Sequence, residues 1–146
     1  MFVIVALVVF VLDRITKSLV AANVPQGTEI SVIGHYVGIT NINNSGAAFG
    51  FAPAGTPIFA IASVVVAIGL AIYVARNPGD LRTDAVLGLI MGGTVGNGID
   101  RLIFGTVTDF INVHFWPVFN VADSAVSIGV VALLAGYVLF KPRTAA

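Results

Sequence analysis

Three windows of this chain, Pro57 to Ala75, Ala85 to Gly105 and Val121 to Phe140, are each long and apolar enough to cross a bilayer. A fourth, from Met1 to about Ala22, is apolar through Leu12 and then carries Asp13, Arg14 and Lys17. With 58% apolar and only 10% charged residues, and a mean hydropathy of +1.01, the chain lies outside the range of soluble domains. The expected fold is therefore a membrane all-α protein of four transmembrane helices, spanning about 1–22, 57–75, 85–105 and 121–140. The first segment is read as a permanent helix, because its charges follow the apolar stretch where a secretory signal would place them before it. No cysteine is present, which removes disulfides, a thiolate nucleophile and a Cys-based metal site.

The dispersed basic residues and zero net charge give no nucleic-acid footprint, but their positions orient the chain. Arg76 and Arg82 flank the short link between the second and third spans, Lys141 and Arg143 follow the fourth, and residues 23–56 and 105–121 hold no Lys or Arg. By the positive-inside rule the Arg76–Arg82 link and both termini are cytoplasmic, and the two longer loops face outward. The outer segment, about residues 26–50, mixes β-branched and aromatic residues with Gly and Asn, as a small sheet would. Pro53 and Pro57 punctuate the entry to the second helix. The link RNPGDLR is a tight polar turn, with Asp84 placed to favour the dipole of the next helix. Gly88, Gly92 and Gly96 form a smooth stripe for close helix approach, and Ala125–Gly129 and Ala132–Gly136 offer similar surfaces in the fourth helix. Nothing divides the chain, so residues 1–146 are read as one domain.

Against this apolar background, the few polar side chains stand out, since ionisable groups in a membrane are costly and mark working sites. Asn97, Asp100 and Arg101 share one helix face near its outer end. Two readings stand for them: a buried cluster in which Asp100 neutralises Arg101 or a charge from another helix, and direct contact with a substrate. Asp13 and Lys17 are spaced as a helical ion pair, while Arg14 lies off that face, where it can snorkel to the interface. Asn44 and Gly46 suit a turn, or Asn44 presents its amide to an extended substrate. Asn120 suits the cap of the fourth helix. Asp109 follows the third helix and Asp123 opens the fourth, neither with a basic neighbour in its loop. Helix capping for Asp123 and solvent exposure for Asp109 are the plain readings. The chemical one is a pair of carboxylates that cannot both ionise and so share a proton, as aspartyl-protease chemistry requires.

Other chemistries find little here. The two histidines, His35 and His114, lie in separate outer loops, without an HExxH motif. Lys17 and Ser18 are adjacent on a helix, pointing about 100° apart, and no GxSxG elbow accompanies them.

Five motifs in order resemble bacterial lipoprotein signal peptidase, the signal peptidase II family of membrane aspartyl proteases. They are D-x-x-T-K at Asp13 to Lys17, N-x-G-A-A-F at Asn44 to Phe49, G-N-x-x-D-R at Gly96 to Arg101, D-F-I at Asp109 to Ile111, and F-N-x-A-D-S at Phe119 to Ser124. The resemblance covers nearly the whole chain. It implies Asp109 and Asp123 as the catalytic pair. Asp13, Lys17, Asn44, Gly46, Asn97, Arg101 and Asn120 match positions that shape or support the site, and Asp100 belongs to the motif without being implied as catalytic. Two departures are visible: the N-terminus lacks the basic residues that often precede the first helix, and the loop between the two aspartates is rather short. The implied reaction is hydrolysis of a diacylglyceryl-modified prolipoprotein just before its lipidated cysteine, at the outer face of the bacterial cytoplasmic membrane. It needs no metal and no organic cofactor, and the implied protein is a monomer whose other contact is membrane lipid. A small transporter, with acids along an ion path, and a non-enzymatic scaffold built on the glycine stripe are the rival classes. A presenilin-like reading fails on spacing, because Asp100 falls one residue too late for G-x-G-D.

Overall fold

The computed structural model describes residues 1–46, 56–77 and 79–139. Pro53, the Ala47–Phe49 part of the second motif, the end of the expected outer β-segment, Pro78 and the basic residues Lys141 and Arg143 lie outside the described residues. Four helices, α1 (Phe2–Asn23), α2 (Thr56–Arg76), α3 (Leu81–Phe104) and α4 (Val121–Leu139), accompany three strands, β1 (Glu29–Ile33), β2 (Val37–Asn44) and β3 (Val107–Asn112). The strands form one antiparallel sheet in the order β1-β2-β3.

Local chemistry sets the boundaries. α1 contains no Gly or Pro and stops before Pro25, where Val24 turns extended (φ −117°, ψ 114°), as the residue preceding a proline prefers. α3 begins a turn earlier than its apolar pattern suggests, because the Asp80 carboxylate accepts the backbone N–H groups of Arg82 and Thr83 at 2.8 and 3.1 Å. It ends at Gly105, whose left-handed φ of 71° suits a glycine C-cap.

α3 is the hub, packing against α1, α2 and α4, whereas α2 touches no other described element. Its glycines explain the proximity. A Cβ on Gly88 would come 2.7 Å from the Phe2 carbonyl oxygen, and one on Gly92 2.6 Å from that of Ala6. The stripe therefore seats α1, while Gly93 lies against the Ala122 backbone of α4. In α4, Gly129 packs on Ile90, but nothing lies near Gly136, so only the first of its two small-residue surfaces is used among the described residues.

Burial runs opposite to that of a soluble bundle. α1 turns Asp13 and Lys17 inward and exposes Val3, Ile4, Leu7, Val8, Val11 and Leu12, and α2 buries only Ala60. Of the four expected spans, α2 alone is by itself long and apolar enough to cross a membrane among the described residues, and the apolar stretch Val121–Tyr137 of α4 is shorter. α1 buries Asp13 and Lys17 and α3 buries Asp100 on inner faces, which lowers their mean apolarity without making their outer faces polar there.

The expected outer sheet is present, but it has a third strand. The segment 105–121, read as a loop, contributes β3, which pairs with β2 and puts Asp109 opposite Ile42. Val20 of α1, Val24 just past its end and Phe110 of β3 form the small core beside the sheet, with Ile39, Ile111 and Val121 around it. The Asn41 side chain donates to the Val24 carbonyl at 2.8 Å, tying the sheet to the end of α1.

Candidate active site

The start of α4 is a reciprocal cap. The Asp123 N–H donates to Asn120 Oδ1 at 2.9 Å, and the Asn120 N–H donates to Asp123 Oδ2 at 3.2 Å. A further N–H of that first turn, from Ala122, donates to Asp13 Oδ1 of α1 at 3.1 Å. The capping role read for Asn120 and Asp123 is therefore real, yet it leaves Asp123 Oδ1 free to accept from Asn97 Nδ2 at 2.7 Å.

Asp109 reaches the same place from the sheet. Its solvent-exposed alternative fails, because the residue is 3% exposed. Strand pairing turns its side chain inward, and only the third strand, absent from the sequence reading, could do so. Asn44 Nδ2 donates to Asp109 Oδ2 at 2.9 Å, and Asn120 Nδ2 donates to Asp109 Oδ1 at 2.7 Å. The Gly46 N–H donates to Asn44 Oδ1 at 2.9 Å, which turns the Asn44 amide so that its NH2 faces the carboxylate. Burial pushes the Asp109 carboxyl up to about 6. Hydrogen bonds from Asn44 and Asn120 and the charge of Lys17 oppose that rise, while the negative charge of Asp123 adds to it.

Behind the pair lies an ionic cluster between α1 and α3. Lys17 Nζ donates to Asp13 Oδ2 at 2.8 Å, to Asn97 Oδ1 at 2.7 Å and to Asp100 Oδ2 at 2.7 Å, using all three of its protons. Because an ammonium can only donate, it holds the Asn97 oxygen toward itself and thereby aims the Asn97 NH2 at Asp123. Asp100 neutralises charges from α1; no ion pair joins it to Arg101 among the described residues. Arg14, expected to snorkel away, instead donates to Asp100 Oδ1 at 2.6 Å and to Asp13 Oδ2 at 3.0 Å. The reason is charge balance: two buried carboxylates facing a single lysine would leave an uncompensated charge. That imbalance was the available signal for Arg14, since its long side chain reaches across the face that its position alone does not share.

Asp109 and Asp123 line a cavity of about 560 Å³, together with Asn44, Gly46, Asn97 and Arg101. α2, α3 and α4 supply its apolar part, including Ala62, Val66, Val126 and Val130, and Trp116 lines it from the loop after β3. Arg101 stacks over Phe59 of α2, 5.4 Å from the ring centroid, and its buried Nε has no hydrogen-bond partner among the described residues. Among those residues no three His, Asp or Glu side chains gather as a metal ion would require. The cavity thus sets two carboxylates, three amide or guanidinium side chains and an apolar trough side by side. Such an arrangement can activate a water and hold an extended, largely apolar chain.

Comparison with known proteins shows what this chain is similar to. Residues 5–139 match the family model described as Signal peptidase (SPase) II. The lipoprotein signal peptidase of Halothermothrix orenii is 40% identical over 134 residues, covering 92% of each chain. That of Chlorobium phaeobacteroides is 37% identical over 160 residues, covering 98% of this chain and 99% of the relative. A solved structure described as a bacterial membrane enzyme superposes with a TM-score of 0.85 at 30% identity, covering 99% of this chain and 94% of that one.

Proposed function

The chain belongs to the signal peptidase II family, and from that membership we propose that it is a bacterial membrane protease that removes signal peptides from prolipoproteins. In finer detail it is an aspartic endopeptidase that cleaves diacylglyceryl-modified precursors just before the lipidated cysteine. The observation that carries this reading is the pair Asp109 and Asp123, both lining one cavity and both bonded to neutral amides.

In this mechanism the pair shares one proton. The ionised aspartate takes a proton from a water as that water attacks the scissile carbonyl carbon, and the protonated partner gives its proton to the carbonyl oxygen. The tetrahedral intermediate then collapses: the carbonyl reforms as one hydroxyl returns its proton to the aspartate that is now ionised, the C–N bond breaks, and the leaving amine takes the proton from the aspartate that is now protonated. Burial of Asp109 supports the shared proton, since it holds a carboxyl neutral at a pH where an exposed one has ionised. Asn97, Asn120 and Asn44 orient the acids. Arg101, which lines the cavity, binds substrate carbonyl oxygens.

Four membrane spans, α1 to α4, fit the exposed apolar faces of the helices, since a patch of that extent is uncommon on a soluble monomer. Arg76 and Arg82 put the α2–α3 link and both termini in the cytoplasm, and the site at the outer face of the cytoplasmic membrane. α2 and α4 flank the cavity without touching each other, so a lipidated substrate enters sideways from the bilayer. The site draws on α1, α3, α4 and the sheet of one chain, which supports residues 1–146 acting as a single domain and as a monomer.

The test is a gel-shift assay in detergent or lipid, with a diacylglyceryl-modified prolipoprotein, its unmodified precursor and the Asp123→Asn variant. The expected result is cleavage of the modified precursor alone, and only by the unaltered protein. Equal cleavage by the variant would remove the aspartyl mechanism.

A further inference from the structure

Away from the paired acids, three polar side chains lie across the outer sheet and end at the loop that lines the cavity. Glu29 on β1 spans the central strand: its Oε2 accepts from Asn112 Nδ2 on β3 at 2.6 Å, and its Oε1 lies 3.3 Å from His114 Nε2, an ion pair when the imidazole is protonated. The crossing exists because β2 carries Gly38 there. A Cβ at Gly38 would come 2.5 Å from Glu29 Cδ and 2.6 Å from its Oε1. No backbone conformation demands that glycine, since Gly38 is not among the residues with positive φ. Its lack of a side chain is what the Glu29 side chain uses.

The consequence is felt at His114. Its φ is 60°, in the left-handed region that few non-glycine residues adopt. The Asn112 Oδ1 accepts the His114 N–H at 2.9 Å and steadies that turn. A carboxylate can only accept, so Glu29 draws the Asn112 NH2 toward itself and leaves the Asn112 oxygen facing His114. Two residues later the chain supplies Trp116, Pro117 and Val118 to the wall of the cavity that holds Asp109 and Asp123.

The geometry points to Glu29 and Asn112 as positioning residues, which hold the loop after β3 in the conformation that shapes the substrate cavity. This rests on the protease reading for its effect on cleavage, but not for its effect on the loop. Trp116 is the chain's single tryptophan, so its fluorescence reports the loop whether or not any substrate is cut.

The test compares Glu29→Ala, Gly38→Ala and the double variant in the full-length protein, by acrylamide quenching of Trp116 and by kcat and KM with a diacylglyceryl-modified prolipoprotein. Each single variant is expected to raise quenching and to raise KM about fivefold, with kcat changed much less, as fits the loss of the partly exposed contacts of Glu29 with Asn112 and His114. The double variant is expected to match either single one, because both remove the same crossing. Unaltered quenching in Glu29→Ala, or in Gly38→Ala, would overturn the clamp. Altered quenching with an unchanged KM would overturn its role in shaping the cavity. If the unaltered protein cuts no prolipoprotein, the protease reading fails while the quenching arm still decides the clamp.

Discussion

Four aspartates gather between α1, β3, α3 and α4, and they divide into two kinds. Asp13 and Asp100 each face Lys17 and Arg14, at 2.6 to 3.0 Å. Asp109 and Asp123 have no ion pair among the described residues and accept instead from Asn44, Asn97, Asn120 and a backbone N–H. A carboxylate locked against cations ties its helices together and builds the fold. One held by neutral amides can keep or release a proton, which is what acid–base chemistry needs. The division depends on Lys17 and Asn97, where the ionic cluster hands its orientation on to Asp123.

The comparison breaks most visibly in activity. Asp109→Asn or Asp123→Asn should lower cleavage by about 10³-fold or more, with the folded fraction in detergent close to that of the unaltered protein. Asp100→Ala should do the reverse in kind: it leaves Lys17 and Arg14 short of a buried partner and should cost about 3–5 kcal/mol of stability, read by thermal unfolding. If Asp100→Ala unfolds no more readily than Asp123→Asn, the two kinds of aspartate are not distinct. Asn120→Ala removes the cap of α4 and a donor to Asp109, with an expected loss of about 1–2 kcal/mol alongside reduced cleavage.

Smaller effects sharpen the same contrast through pH. The hydrogen bond from Asn44 favours the ionised form of Asp109, so Asn44→Ala should move the corresponding limb of the pH–rate profile to higher pH. A shift downward would mean that Asn44 does not act on Asp109 in this way. The stability sign follows from the same shift. Between 3.8, the ordinary value, and about 6, the folded chain keeps a proton on Asp109 that the unfolded chain has released. Asp109 therefore favours the fold most below that window, and its contribution falls as pH rises through it. Unfolding midpoints from pH 4 to 7 should carry this decline, and Asp109→Asn should remove it.

The helices and most of the polar residues at the site were legible in the sequence because both depend on local or single-residue signals. Apolar runs mark where helices run, although the Asp80 cap starts α3 a turn before its run, and a charge in an apolar stretch announces itself wherever it sits. The glycine spacing in α3 likewise announced a close approach, although not that α1 would be the partner. Long-range pairing was not legible. β3 is short, flanked by loops, and takes its strand conformation from β2, so no periodicity of its own gave it away. With that strand missing, Asp109 read equally well as an exposed loop residue.

What the sequence by itself determined is a chain of helices with inward charges and outward apolar faces, because hydropathy and periodicity act over a few neighbouring residues. Only the tertiary structure decided which carboxylates meet cations and which meet amides. Asp100 and Asp123 are the same residue type, and their difference lies in partners far off in the chain: Lys17 and Arg14, 83 and 86 positions away, for Asp100, and Asn97 of a neighbouring helix for Asp123. A side chain's charge state is set by what surrounds it in space, and that surrounding exists only once α1, α3, α4 and the sheet have packed.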